Sequence, residues 1–104
     1  MEVQLKKGFL DIVVLSVLFN GDSYGYKIIQ DVSAVIDISE STLYPILRRL
    51  EKADCLKTYN VEHNGRLRKY YRITVEGLDK IKSFLKEWGE MKKVYDFILS
   101  NTGV

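Results

Sequence analysis

Two strand-like runs joined by Asn64 and Gly65 constrain this 104-residue chain more than any other feature. The runs, Leu56–His63 and residues 66–74, are rich in tyrosine and branched side chains, which favour strands. Asn-Gly is the strongest signal for a two-residue hairpin, because a type I′ turn needs positive φ at both positions. Such a turn also fixes the register, so Leu56 is predicted to pair with Ile73.

This register sorts the hairpin side chains into two faces, since neighbours along a strand point to opposite sides. Leu56, Tyr71 and Ile73 fall on one face, which can dock on helices. The other face is predicted to present cations and tyrosines, with Lys57 beside Arg72 and Tyr59 beside Tyr70. Both tyrosines at 70 and 71 are ordinary strand residues, but the outward Tyr70 is the better candidate for a phosphate contact.

Two helices are predicted at the start of the chain. The first, residues 5–19, is apolar almost all round, and one small core can cover only one of its faces, so its other face is expected to meet a second subunit. Gly21 suits the end of this helix, and Asp22 or Ser23 is expected to N-cap the next one. The second helix carries an apolar stripe of Ile28, Ile29, Val32, Val35 and Ile36.

A third helix follows Ser39, its predicted N-cap, and contains the only proline of the chain, Pro45. Helical spacing gives it a core face of Leu43, Ile46, Leu47 and Leu50. The opposite face carries Ser41, Pro45, Arg48 and Lys52, flanked by Thr42, Tyr44 and Arg49. Because proline removes a helical N–H, we predict a loosened turn on the outward face that tilts residues 41–44 toward a partner.

Thr74 is predicted to N-cap a last helix over residues 75–99. Its apolar residues recur at intervals of three and four: Leu78, Ile81, Leu85, Trp88, Met91, Tyr95 and Ile98. A seam of this kind is typical of helices that pair with one another. We therefore predict a mainly α fold with a small β-hairpin, in which a dimerisation helix at 75–104 packs with the first helix.

Composition excludes several functions. One cysteine, Cys55, and one histidine, His63, cannot form an internal disulfide or a zinc site of Cys and His alone. We find no carboxylate pair or glycine-rich phosphate loop, so no enzyme, metal or cofactor is expected. No apolar run is long enough to span a bilayer, and we expect a cytoplasmic protein without a membrane partner. Cys55 is interpreted as a small buried apolar residue, with a redox role as the alternative.

The net charge of +2 hides a strongly basic segment. Residues 48–72 hold eight basic and three acidic side chains, a net +5, so the remainder carries −3. A basic segment in a nearly neutral chain is typical of a polyanion-binding surface. A merely solvated charged face is the alternative.

The predicted order of helix, helix, helix, hairpin and helix is the plan of a winged helix-turn-helix, whose third helix can enter the DNA major groove. Residues 1–74 are therefore predicted to form a winged helix-turn-helix DNA-binding domain. Two copies would read two half-sites of a palindromic operator. The predicted DNA contacts are Tyr24, Lys27, Ser39, Ser41, Thr42, Tyr44, Pro45, Arg48, Arg49 and Lys52, with Arg66, Arg68, Lys69 and Tyr70 from the wing.

Three segments also resemble the PadR family of transcriptional regulators, in particular its short members with one C-terminal helix. They are Gly25-Tyr26, the run TLYPILRRLE at 42–51, and RKYYRIT at 68–74 followed by Gly77. The similarity extends over about residues 8–99. It implies a homodimeric repressor whose last helix packs across the dimer with the first. The implied dimer interface is Phe9, Ile12, Leu85, Trp88, Met91, Tyr95 and Ile98.

Some members that this chain resembles bind planar aromatic compounds between two tryptophans at the dimer interface, which relieves repression. Trp88 has the corresponding place here, with Leu5, Gly8, Asp11, Ile12, Met91 and Tyr95 as implied neighbours of a planar hydrophobic effector. Simple packing of Trp88 in the seam is the alternative. At the level of the whole chain, a protein-interaction winged helix and a small-molecule carrier without specific DNA binding also stay open.

Overall fold

The computed structural model describes residues 3–104, with side chains described from Gly8 onward. Within this range the chain forms four helices and three strands. They are α1 (Val3–Phe19), β1 (Ser23–Tyr24), α2 (Gly25–Ser33), α3 (Glu40–Lys52), β2 (Leu56–His63), β3 (Arg66–Ile73) and α4 (Val75–Thr102).

The hairpin has the predicted register from end to end. Leu56 lies opposite Ile73 and His63 opposite Arg66, and the turn has φ of 51° at Asn64 and 78° at Gly65. Positive φ at both positions is what a type I′ turn requires, and it matches the right-handed twist of the strands. The tight turn therefore fixes which side chains of β2 and β3 face the helices.

The third strand, β1, was not predicted. Ser23 and Tyr24 pair antiparallel with Tyr71 and Tyr70, so the sheet order is β1-β3-β2. The prediction that Asp22 or Ser23 caps α2 was therefore wrong. Tyr24 occupies the N-cap position and makes no side-chain cap hydrogen bond, and it is itself paired with Tyr70 in the sheet.

The core lies between α1, α2, α3 and the inner face of the sheet. The predicted core face of α3 is confirmed, since its four apolar residues are at most 4 % exposed, and Leu56 and Tyr71 close the core from the sheet side. The burial of these apolar surfaces stabilises the fold. Ser39 is at the predicted N-cap position of α3, but its hydroxyl makes no cap bond to the backbone.

The end of α3 is built on a residue with a left-handed backbone. Asp54 has φ of 61°, its N–H donates to the Glu51 carbonyl, and the Cys55 N–H donates to the Leu50 carbonyl. This pair of bonds is the Schellman arrangement, in which glycine is the usual left-handed residue. It turns the chain directly from α3 into β2, so Cys55 lies in the connection after α3, where it is buried.

The last helix begins as predicted and extends three residues further. The Thr74 hydroxyl accepts the Gly77 N–H at 3.1 Å, and Gly103 ends the helix with φ of 62°. The chain measures 61 × 26 × 21 Å, and its radius of gyration is 16.3 Å, against about 13 Å for a compact domain of this length. The second half of α4 therefore projects from a winged helix-turn-helix body.

Candidate nucleic-acid interface

The outward face of α3 is exposed as the helical spacing predicted. Ser41, Thr42, Tyr44, Pro45, Arg48 and Lys52 are all exposed. The Ser39 hydroxyl lies 2.8 Å from that of Ser41 and 3.3 Å from that of Thr42. A helix face with hydroxyls at its start and cations toward its end can hydrogen-bond phosphates and base edges.

A cleft of about 480 Å³ lies between this face and the wing. It is lined by Tyr24, Gly25, Tyr26, Tyr44, Arg68, Lys69 and Tyr71. The cleft thus joins the start of α2, the exposed Tyr44 of α3 and two cations of β3. Sequence reasoning had named most of these residues separately, but it had not placed Tyr26 there.

The floor of the cleft depends on glycine at position 25. A Cβ atom built on Gly25 would overlap the Tyr44 hydroxyl, so the position of the Tyr44 ring against α2 depends on the missing side chain. The α2 N-terminus beside it has no side-chain cap. Uncapped N–H groups at a helix start carry partial positive charge and favour an anion, as do Arg68 and Lys69.

Three tyrosines form a row across the outer face of the sheet. The ring centroids of Tyr24 and Tyr70 are 5.4 Å apart, and those of Tyr70 and Tyr59 are 5.7 Å apart. The guanidinium of Arg68 lies 4.0 Å from the Tyr24 ring centroid, and that of Arg72 lies 5.3 Å from the Tyr59 centroid. The row holds the cations of the wing in fixed positions through cation–π contacts.

Asp22 fastens the wing to the end of α1. Its carboxylate accepts hydrogen bonds from Arg72 Nε at 3.0 Å and from the Tyr59 hydroxyl at 2.6 Å. The bond from Arg72, and then that from Tyr59, lowers the pKa of Asp22, and the same carboxylate raises the pKa of Tyr59. The sequence did not predict this contact. Asp22 was assigned to a helix cap, and Arg72 lies 50 residues later in the chain.

The predicted DNA contacts differ in whether their charged groups already form ion pairs within the chain. Arg66 and Arg68 have no ion-pair partner in the described chain, whereas Lys27 lies 3.4 Å from Asp31 and Lys69 lies 3.7 Å from Glu51. Arg49 is directed at α1, where its Nη2 lies 2.5 Å from Asp11 Oδ1.

The residues implied for a small-molecule site fall into two separate clefts. Trp88, Met91 and Tyr95 line one of about 430 Å³ with Lys92. Gly8, Asp11 and Ile12 line another, of about 280 Å³, between α1 and α4. The Leu5 side chain lies outside the described part. Trp88 also packs within the chain, with its ring 4.8 Å from Phe9 and 5.9 Å from Phe84.

Two further observations concern the described residues only. They include no group of three or more His, Cys, Asp or Glu side chains that could hold a metal ion. Among these same residues, no helix combines the length and hydropathy needed to cross a membrane.

Known proteins share both the sequence pattern and the fold. Residues 14–83 match the model of the Transcriptional regulator PadR-like family. A transcriptional regulator from Clostridium thermocellum is 39 % identical, with a TM-score of 0.80 over 89 % of this chain and 95 % of that one. A PadR family transcription regulator from Clostridium difficile is 35 % identical, with a TM-score of 0.79 over 88 % and 98 %.

A more distant structure shares the fold alone. Bacillus subtilis PadR, solved in complex with operator DNA, is 21 % identical, with a TM-score of 0.69 over 74 % of this chain and 46 % of that one. The family model covers most of the chain, and the two regulators above cover nearly all of it. The chain therefore belongs to the PadR-like family of transcriptional regulators.

Proposed function

We propose that this chain is a homodimeric, sequence-specific DNA-binding regulator. The observation that carries the proposal is the cleft between α3 and the wing, where Arg68, Lys69 and the uncapped start of α2 converge beside the exposed face of α3. A phosphate group in this cleft would lie next to a helix that can enter the major groove. The DNA-bound relative of the same fold supports this reading.

In the proposed complex, Ser41, Thr42, Tyr44 and Arg48 read bases or phosphates in the major groove. Arg66 at the hairpin tip follows the backbone or enters the minor groove, and Lys52, Lys27 and Tyr70 supply outer contacts. Exposure of all these side chains except the half-buried Tyr70 supports the assignment. Arg49 differs from them because its guanidinium is already paired with Asp11.

The dimer is proposed from the exposed apolar side chains of α4. Leu85, Met91, Tyr95 and Ile98 are each more than half exposed, as are Val94 and Phe97 beside them. Large apolar patches on a small chain mark an interface, and the three-four spacing suits an antiparallel or parallel helix pair. Phe9 and Trp88 form the adjoining aromatic cluster, which supports a contribution from α1.

The cleft at Trp88 supports a regulatory ligand as a finer part of the proposal. Its lining is almost wholly apolar, with the indole, Met91 and Tyr95 around it. A planar hydrophobic molecule fits such a lining, and its binding would relieve repression. Because Trp88 is the only tryptophan, its fluorescence reports on this cleft directly. Titration with planar cationic dyes should quench it, and an unaltered spectrum at saturating dye would exclude stacking on the indole.

DNA binding is tested with a duplex selected by the protein from a randomised library and a scrambled duplex of equal length. Affinity for the selected duplex should be at least about a thousandfold higher, and both should fall steeply with salt. Arg48→Ala should lower the affinity for the selected duplex by about 1–3 kcal/mol. Glu90→Ala, on the exposed surface of α4, is the control. Equal affinity for the two duplexes would leave a protein-interaction module or a ligand carrier as the function.

A further inference from the structure

Asp11 is an unusual residue for the middle of α1. It lies between Leu10 and Ile12, and its side chain is only 13 % exposed, although nearly all its neighbours on the helix are apolar. A carboxylate in such a place is costly unless a cation and hydrogen bonds compensate it. In the described chain its hydrogen-bond and ion-pair partner is Arg49, at 2.5 Å.

The partner belongs to α3, 38 residues later in the chain. Arg48 and Arg49 are adjacent and both exposed, but they differ in their partners: Arg48 has no ion-pair partner in the described residues, whereas Arg49, with a side chain 42 % exposed, reaches Asp11 on α1. Lys80 and Glu87 of α4 line the same groove as Asp11. The Lys80 ammonium is not within 4.0 Å of the carboxylate, so it does not replace Arg49.

The wing holds α3 from the other side. The Glu51 carboxylate accepts a hydrogen bond from the Thr58 hydroxyl at 3.1 Å and lies 3.7 Å from Lys69 Nζ. The C-terminal half of α3 is thus tied to β2 and β3 through Glu51 and to α1 through Arg49. The hydrophobic effect is non-directional, whereas a charge-assisted hydrogen bond between an arginine and a carboxylate prescribes a geometry.

We propose that Arg49 is a positioning residue for DNA recognition, locked to Asp11, and not a contact to DNA. The pair sets the orientation of α3 relative to α1, and the neutralised Arg49 adds no charge to the phosphate-binding surface. The inference rests on the proposed DNA-binding function and refines it. It divides the arginine pair between two tasks: Arg48 faces the groove, and Arg49 holds the helix that presents it.

Two variants separate positioning from contact. Asp11→Asn frees the Arg49 charge, and Asp11→Asn with Arg49→Gln removes both charges without leaving one buried alone. Both should fold, because four buried apolar side chains still hold α3, and thermal unfolding monitors this. Asp96→Asn is the matched control, since it makes the same change in net charge and frees Lys92 on the exposed part of α4.

The measurement is affinity for the selected and scrambled duplexes over a range of salt. Asp11→Asn should bind scrambled DNA more tightly and steepen the plot of log affinity against log salt by about 0.9. The preference for the selected duplex should fall about tenfold in both Asp11 variants. The double variant should keep the wild-type salt slope. Loss of a merely structural contact would leave the salt slope unchanged in both variants, so the steeper slope of Asp11→Asn is the result that distinguishes the two explanations.

Two results would overturn the proposal. One is a double variant whose salt slope is shallower than wild type by about 0.9, because Arg49 would then contact a phosphate. The other is an Asp11→Asn protein that behaves like Asp96→Asn. If the wild type itself showed no preference between the duplexes, the proposed function would fail together with the inference, and the wild-type titration alone reveals that case.

Discussion

The winged part of the chain and the second half of α4 distribute their apolar side chains in opposite ways. In the first, Leu43, Leu47 and Leu50 are at most 1 % exposed, and the outer surface carries tyrosines and cations. In the second, Tyr95 and Phe97 are 64 % and 66 % exposed. The winged part thus completes its core within one chain, whereas the far half of α4 leaves large apolar side chains exposed.

Ile98→Asp should break the contrast most strongly. A charge on the apolar face of the proposed helix pair is left without a partner, so self-association should weaken by at least about 2 kcal/mol, roughly thirtyfold. The winged part should keep its secondary structure. Sedimentation equilibrium measures the association, and Ser100→Asp, which adds the same charge off the seam, is the control. Unchanged association in Ile98→Asp would place the dimer interface elsewhere.

Two glycines, Gly25 in the winged part and Gly77 in the first turn of α4 beside it, test how rigid the packing is. A Cβ at Gly77 would meet the backbone carbonyl of Cys55 at 2.5 Å, which cannot move aside, so Gly77→Ala should destabilise the fold by about 1–3 kcal/mol. A Cβ at Gly25 meets only the Tyr44 side chain, which can rotate away. Gly25→Ala should therefore cost less stability but weaken DNA binding. Urea unfolding and duplex titration of both variants give the comparison, and equal stability losses would show that Tyr44 is held as firmly as backbone.

Asp54→Gly should sharpen the contrast by stabilising only the winged part. Glycine adopts the left-handed conformation at this position without the strain of a Cβ, so the free energy of unfolding should rise by about 0.5–1 kcal/mol. Urea unfolding measures it, and self-association should stay unchanged. Asp37→Gly, at an exposed position before α3, is the control. A loss of stability would mean that the Asp54 side chain contributes more than its backbone costs.

Asp22→Asn should have the smallest effect, a loss of stability near neutral pH that disappears in acid. Because the folded pKa of Asp22 lies below its ordinary value of 3.8, its contribution to stability is present above that value and is lost as the pH falls through the lowered pKa. The unfolding free energy of Asp22→Asn should therefore fall less steeply than that of wild type below about pH 4. Urea unfolding at a series of pH values checks this, and parallel curves for the two proteins would contradict it.

The features that could be predicted are those set by neighbours in sequence. A two-residue turn fixed the register from Leu56 to Ile73, and helical spacing fixed the buried face of α3, because both depend on local geometry. The strand β1 could not be predicted, since two residues are too short to show a period and pair only because the edge of β3 is available.

The candidate site was predicted as a set of residues and not as an arrangement. The exposed face of α3 follows from its spacing, but the contact between Gly25 and Tyr44 joins residues from different helices. The same holds for Asp22 with Arg72 and Asp11 with Arg49, which are 50 and 38 residues apart. Such contacts depend on how the helices cross, and no local pattern encodes that.

The close contact between Gly25 and Tyr44 has a consequence for anyone who would retarget this surface. The two positions cannot be varied independently, because any side chain at 25 must be matched by a smaller or reoriented one at 44. A library that randomises α3 with position 25 fixed will sample a different set of proteins from one that varies both. Substitutions at Tyr44 alone will open space, whereas substitutions at Gly25 alone will mostly push the tyrosine outward.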